Sequence, residues 1–332
     1  MPRLIEFATL GGPEVLHFVE RAAESPGSGE VQIAMKAAGL NRAELLFMAG
    51  AYLVPPILPS RLGFEGAGEV TAVGANVHGF SVGDWVAITP AFQQNAYGVL
   101  GDLINIPASA LVSIPHGIGF HDAAAFWMAF GTAYGLLVQC GELRDGGEQT
   151  VLINAASSSV GLAAIQIARA HGATVIAVTR AATKVEPLRA AGANHVVVSN
   201  EEDIVERIGA LSGGRGFDIA CDAVGGSALA QLAEASSRDA VIVFYGLLSG
   251  EIGPVPFGPM VARGVRLTGF HLAWSLLDIP ERRRAAISHL SNGLMNGNYR
   301  PVIDRIYAFT EVREAYAAMA ANNHVGKIVV EF

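Results

Sequence analysis

Residues 150–161 read T-V-L-I-N-A-A-S-S-S-V-G, and residues 162–172 continue L-A-A-I-Q-I-A-R-A-H-G. The apolar run Thr150–Ile153 predicts a strand, Asn154–Gly161 a tight turn, and Val160–His171 a helix that stops at Gly172. A phosphate-binding loop would stand at this place in a nucleotide fold, yet the turn from Asn154 holds one glycine. Such a loop needs unpaired main-chain N–H groups, the positive end of a helix dipole and no bulky Cβ near the phosphates. Ala155, Ala156, Ser157, Ser158 and Ser159 are the next smallest choices after glycine, and the serines add hydroxyl donors. Gly161 keeps the position that lets helix and strand pack closely. Taken alone, the stretch fits an ordinary strand–helix turn as well as a dinucleotide loop.

The flanking sequence repeats the pattern. Strands are predicted at Val175–Val178, His195–Val198, Phe217–Cys221, Ala240–Tyr245 and Val265–Phe270. Helices are predicted at Lys184–Ala191, Glu202–Leu211 and Leu229–Ala235. This alternation implies an α/β fold with a doubly wound parallel sheet. The first 120 residues differ. Short strands such as Val31–Ala37, Gly66–Gly74 and Val82–Ile88 are punctuated by Gly and Pro, which predicts a barrel-like antiparallel unit. After Phe270 the pattern is mostly helical, with Pro280 opening one helix and Thr310 capping another. Val312, Ala315, Tyr316 and Met319 form an apolar stripe, and Gly326–Val330 is a closing strand. The expected organisation is a nucleotide-type domain, 123–270, inserted into a discontinuous domain made of 1–122 and 271–332.

The bulk numbers exclude several classes. The chain has 332 residues, 51% of them hydrophobic, which is ample for two cores. A formal charge of -8 argues against a nucleic-acid partner, and the one basic cluster, Arg282-Arg283-Arg284, reads as a solvated helix face. The two cysteines, Cys140 and Cys221, cannot build a disulfide framework or a four-thiolate zinc site. Together with an N-terminus lacking an apolar signal core, they imply a reducing cytoplasm. Ala123–Gly141 is uncharged but broken by glycines, and is expected to be a buried helical segment rather than a membrane span.

In chain order stand A-A-G-L-N-R-A-E (37–44), G-F-E-G-A-G-E-V (63–70), G-D-W-V (83–86), G-T-A-Y (131–134), the 154–161 loop, C-D-A-V-G-G (221–226) and V-G-K-I-V-V (325–330). This series resembles the medium-chain dehydrogenase/reductase superfamily over essentially its whole length. Within it, the chain resembles the zinc-free quinone oxidoreductase and enone reductase branch. The resemblance implies a Rossmann sheet inserted in a GroES-like β-barrel domain. Zinc-dependent relatives carry a Cys and a His where this chain has Asn41 and Phe64, so no metal is expected. The chain also departs from the family pattern. Ala155, Ser158 and Ser159 replace loop glycines, and Ser199 stands where many relatives have an adenosine-side tyrosine.

The resemblance implies a reductase that passes hydride from NADPH to a quinone or an α,β-unsaturated carbonyl. Simple carbonyl reduction and a weakly catalytic NADPH-binding protein are the alternatives. Asn41 and Tyr52 are expected to line the cleft near the nicotinamide, with Tyr52 as hydrogen-bond donor or proton source. Their bland readings are a turn amide and a loop tyrosine packed on prolines. Glu65 is either a structural anchor or a cleft group. Phe47, Leu53 and Trp274 are taken as apolar cleft residues.

Cofactor contacts are expected from Thr132, from Ala156, Ser157, Ser158, Ser159 and Val160 of the loop, and from Val224, Tyr245 and Gly246 at strand ends. Phe270, His271 and Leu272 after the last strand of the sheet, and Lys327 of the C-terminal Gly-Lys pair, complete the set. His271 is either a proton relay or a structural histidine. The second strand ends in Thr179-Arg180 with Lys184 following, and no acid appears before Glu186. A carboxylate there would select NADH, whereas Arg accommodates a 2′-phosphate, so NADPH is the expected cofactor. A homodimer is expected through an edge strand at 265–270.

Overall fold

A computed structural model of the chain describes all of residues 1–332. The strand preceding the opening loop, β1 (Thr150–Ile153), is buried along its whole length. That is the signature of a central parallel strand covered on both faces. It is joined by β2 (Thr174–Thr179), β3 (His195–Val198), β4 (Phe217–Asp222), β5 (Ser236–Phe244) and β6 (Arg266–Gly269). The order in this six-stranded sheet is β3-β2-β1-β4-β5-β6, with every neighbouring pair parallel. The chain therefore reverses direction across the sheet between β1 and β4, and ligands of such sheets sit outside the carboxyl ends at that switch.

Helix α1 (Ser159–Ala170) follows β1 and buries Leu162, Ile165 and Ile167. Gly172 (φ +82°) stands beyond its C-cap, and Gly192 (φ +109°) beyond that of the next helix, Val185–Ala190. Left-handed glycine is the ordinary way to stop a helix. Leu152, Ile176, Val197, Phe217 and Ile242 share one core cluster of this sheet. β6 is an edge strand, as its position in the sequence implies.

The other unit is built around the strand Glu30–Gly39 of a seven-stranded sheet. That strand pairs antiparallel with Glu65–Val73, Leu103–Pro107 and the closing strand Lys327–Glu331. Val31, Ile33 and Met35 alternate into a core shared with Phe47, Phe64 and Tyr316. The predicted stripe Val312, Ala315, Tyr316 and Met319 is buried on helix Val312–Ala320. Thr310 is not its cap. Phe309–Glu311 forms a short 3-10 turn, and the Glu311 carboxylate accepts the Ala308 N–H at 3.0 Å instead.

The chain divides into one unit of Met1–Met128 and Pro301–Phe332, and another of Ala129–Arg300. The expected borders at 122/123 and 270/271 need correction, the second by a whole helix. Helix Pro280–Met295 belongs with the parallel sheet's unit. The segment after it is held there by Tyr299 against Phe130 at 5.6 Å, and by Gln166 bonded to both the N–H and the C=O of Arg300. No helix is long and apolar enough to cross a membrane.

Candidate functional site

The opening loop is a built structure. Ser158 is the N-cap of α1, and its hydroxyl accepts the Gly161 N–H at 3.1 Å. The first-turn N–H groups of Ser159 and Val160 have no intrahelical acceptor, as at any helix start, so they face outward with the positive dipole end. A Cβ on Gly161 would stand 2.5 Å from the Ala156 carbonyl oxygen, so the loop backbone crosses the helix where only glycine fits. Ala155 takes the left-handed φ of +45°, a conformation that costs a residue with a Cβ about 1 kcal/mol. The chain holds its glycine-type loop geometry without the glycine. Ala156 was expected to face the cofactor. Its side chain is instead fully buried and its N–H bonds back to Val178 of β2, so it braces the loop from beneath.

Two residues missed in the sequence tie this loop to the switch point. Asn154 Nδ2 donates to Asp222 Oδ1 at 2.5 Å, and the Ala223 N–H donates to Asn154 Oδ1 at 2.8 Å. Asp222 Oδ1 also accepts the Val224 and Gly225 N–H groups. The carboxyl ends of β1 and β4 are thereby locked together. Asp222 Oδ2 is buried without a partner, an acceptor left over at the place where a ligand hydroxyl or water would satisfy it. Val224 and Gly246 are half-buried at these strand ends. Tyr245 lies beside them, and burial pushes its phenol well up, so it stays protonated.

The end of β2 is basic. Arg180 is exposed and makes no ion pair, while Thr179 is buried. Lys184 Nζ donates to Ser157 Oγ at 3.2 Å, which links this strand end to the loop. Glu186, the first acid beyond, is exposed and paired with Arg189 at 2.8 Å. An anionic group here would meet guanidinium, ammonium and hydroxyl donors and no opposing carboxylate.

Thr132 is buried in helix Trp127–Tyr134. Phe270 and Leu272 are packing residues. The Phe270 ring fills the space that a Cβ on Gly135 would take, and Leu272 packs against Gly131. His271 caps the turn that follows it. The Trp274 N–H donates to its Nδ1 at 3.3 Å, which leaves the proton on Nε2, and burial lowers its pKa. The backbone contact at Nδ1 sets its tautomer, and burial favours the neutral form of the imidazole.

In the other unit, the closing strand sets Lys327 beside Asn41. Lys327 is fully buried, and its ammonium donates to Asn41 Oδ1 at 2.5 Å and pairs with Glu65 Oε1. Lys327 therefore serves here as an internal cation, not as an exposed ligand contact. Glu65 Oε2 accepts the Met128 N–H at 2.9 Å, which makes it an anchor. Asn41 is buried with its amide engaged at both ends, Nδ2 donating to the Gly39 carbonyl at 3.0 Å.

Glu44 is the hub that the sequence did not reveal. It accepts from the Asn41 N–H, Asn41 Nδ2, the Phe64 N–H and the Tyr316 hydroxyl. Complete burial pushes its carboxyl up to about 7, and these donors pull the other way. Phe47 is core, and Leu53 is exposed. Tyr52 packs on Phe47 and Phe64, with ring centroids 6.4 and 6.0 Å away. Burial raises its pKa, so its hydroxyl remains a proton-bearing donor at neutral pH.

Residues 27–116 match the alcohol dehydrogenase GroES-like domain family, and residues 159–291 match the zinc-binding dehydrogenase family. A quinone oxidoreductase of Pseudomonas aeruginosa is 33% identical over 330 residues, covering 99% of each chain. The structure of Escherichia coli quinone oxidoreductase complexed with NADPH superimposes with a TM-score of 0.90 at 30% identity, covering all of both chains. The structure of the CurK enoyl reductase gives 0.87 at 26% identity, covering 99% of each.

Proposed function

This chain belongs to the medium-chain dehydrogenase/reductase superfamily, in its quinone oxidoreductase-like branch, and on that premise we propose that it is an NADPH-dependent reductase of quinones or α,β-unsaturated carbonyls. The observation that carries the cofactor assignment is the end of β2, where Arg180 is exposed with no carboxylate opposing it and Lys184 reaches Ser157. The loop fits a pyrophosphate, with small residues, a capped helix start and a backbone crossing too close for any Cβ at Gly161. Ser157, Ser158, Ser159 and Val160 would hold the phosphates, and Thr179, Arg180 and Lys184 the 2′-phosphate. The orphaned Asp222 Oδ2 would take a ribose hydroxyl or a water.

When bound, NADPH supplies a hydride to an electron-poor carbon. The protein's task is then to stabilise the charge that develops on the conjugated oxygen and to bring a proton. Tyr52 is assigned that task, because burial keeps its phenol protonated although Gln94 hydrogen-bonds to it. Asn41 contributes by holding the turn rigid.

NADPH oxidation with a quinone, an enone, and an alcohol plus NADP⁺ tests the reading, and activity with neither of the first two would overturn it. Arg180→Ala is expected to weaken NADPH by roughly 1.5–3 kcal/mol, the scale of a hydrogen bond to a charged group, and to leave NADH almost unchanged. Equal weakening of both would remove Arg180 from the assignment.

Chemistry without a metal is part of the proposal. At the positions where zinc-dependent relatives carry Cys and His, this chain has an amide already in use and Phe64, which offers no ligand atom. Elemental analysis is expected to find no stoichiometric zinc, and a tightly held zinc whose chelation abolishes turnover would contradict this. A homodimer is also proposed. β6 is an edge strand, and Leu247, Leu248, Ile252, Val255 and Phe257 are exposed on the segment between β5 and β6. Light scattering should return about twice the 34.6 kDa chain mass, and a monomer at micromolar concentration would refute it.

A further inference from the structure

Trp274 is a large apolar side chain left 52% exposed. A single exposed hydrophobe is ordinary and calls for no function. This one is held differently from a loose surface residue. Its indole stacks on the His271 ring at 4.2 Å between centroids, with planes 30° apart. Its backbone turn, Ala273–Leu277, is a π-helical turn, a geometry found often at functional sites.

That turn is clamped from several sides. The Trp274 N–H donates to His271 Nδ1 at 3.3 Å, and the His271 N–H to Ser275 Oγ at 3.3 Å. The Ser275 N–H donates to the His271 carbonyl at 2.8 Å. The Ser275 carbonyl accepts from Gln139 Nε2 and from the Arg282 guanidinium, each at 2.9 Å. One side of the indole is backed by imidazole, and much of the rest faces solvent on a frame whose ordering is already complete. The segment leaves the carboxyl end of β6, the side of the sheet on which the β1–β4 switch also opens.

We propose that the Trp274 indole, backed by His271, is a stacking platform for a planar ring of the substrate, and that it makes the enzyme favour flat polycyclic quinones over open-chain enones. This deepens the reductase reading above and rests on it. The chemistry matches: an indole face is electron-rich and a quinone ring electron-poor, so their offset stack is favourable, whereas a short enone offers little flat area. Preorganisation adds to this, because a rotamer already held by its neighbours loses little freedom when the ligand lands.

The test uses Trp274→Ala and Trp274→Phe in the full chain, with a naphthoquinone and methyl vinyl ketone as acceptors. Trp274→Ala is expected to raise KM for the naphthoquinone about tenfold and that for methyl vinyl ketone by less than about twofold, with Trp274→Phe recovering most of the loss. Calorimetric binding of the naphthoquinone to the NADP⁺-loaded protein should show the same loss without any turnover. Equal effects on both acceptors, no effect on either, or dissociation of the protein in light scattering on Trp274→Ala would overturn the platform. If the wild type reduces neither acceptor, the reductase reading fails by itself. The calorimetric comparison of wild type with Trp274→Ala then still decides the platform, and equal affinities would reject it.

Discussion

Tyr52→Phe lowers turnover about a hundredfold to a thousandfold and leaves NADPH affinity near that of the wild type; this is the expected result if the phenol is the oxyanion donor. The substitution removes one oxygen and keeps the ring. Its contacts with Phe47 and Phe64 are aromatic-edge and tilted packings that phenylalanine reproduces, so fold stability should change little. The expected loss comes from the transition state alone, because negative charge on the substrate oxygen is absent before hydride arrives. It should therefore appear in kcat and in kcat/KM alike. Burial holds the Tyr52 pKa above its ordinary value, so the rate should not rise with pH through the neutral range as it would for a group that must first lose its proton. A Tyr52→Phe enzyme with unchanged kcat would assign the tyrosine to packing and leave the proton to water.

Much of the parallel sheet was legible because its information is local. The short strand Thr150–Ile153 and helices closed by Gly172 and Gly192 state strand, turn and stop within a few residues of one another. The proposed 2′-phosphate contact is local too, since Arg180 directly follows the end of its strand. What was not legible depends on partners far away in sequence. Helix Pro280–Met295 shows where it begins but not which unit it packs on, and Gln166 and Phe130 decide that. Ala156 looks like a ligand-facing small residue until its N–H is seen returning to β2. Glu44 stands in the sequence only as the last residue of the 37–44 motif. Only Phe64 and Tyr316, brought to it by the fold, reveal it as a buried hub.

Lys327 shows the same limit most sharply and carries the second large effect. The family resemblance implies that Lys327, in the C-terminal Gly-Lys pair, contacts the cofactor. The fold instead closes Asn41 and Glu65 around its ammonium and excludes solvent. Removing one member of such a pair leaves the other charge buried with no counter-ion, which costs about 3–5 kcal/mol. Lys327→Ala is therefore expected to lower unfolding stability by that amount, a large share of the roughly 5–15 kcal/mol available to an ordinary domain. The shift should be visible in urea through Trp85 and Trp127, both of which lie in the same unit. The Met128 N–H still reaches Glu65 Oε2 in the variant, but one amide does not replace a full charge. The double change Lys327→Met with Glu65→Gln should recover most of the loss, because it removes the stranded carboxylate while filling the volume. A Lys327→Ala protein that loses less than about 1 kcal/mol, the range of an exposed pair, would mean that the ammonium is solvated. A contact with the cofactor would then again be its best assignment.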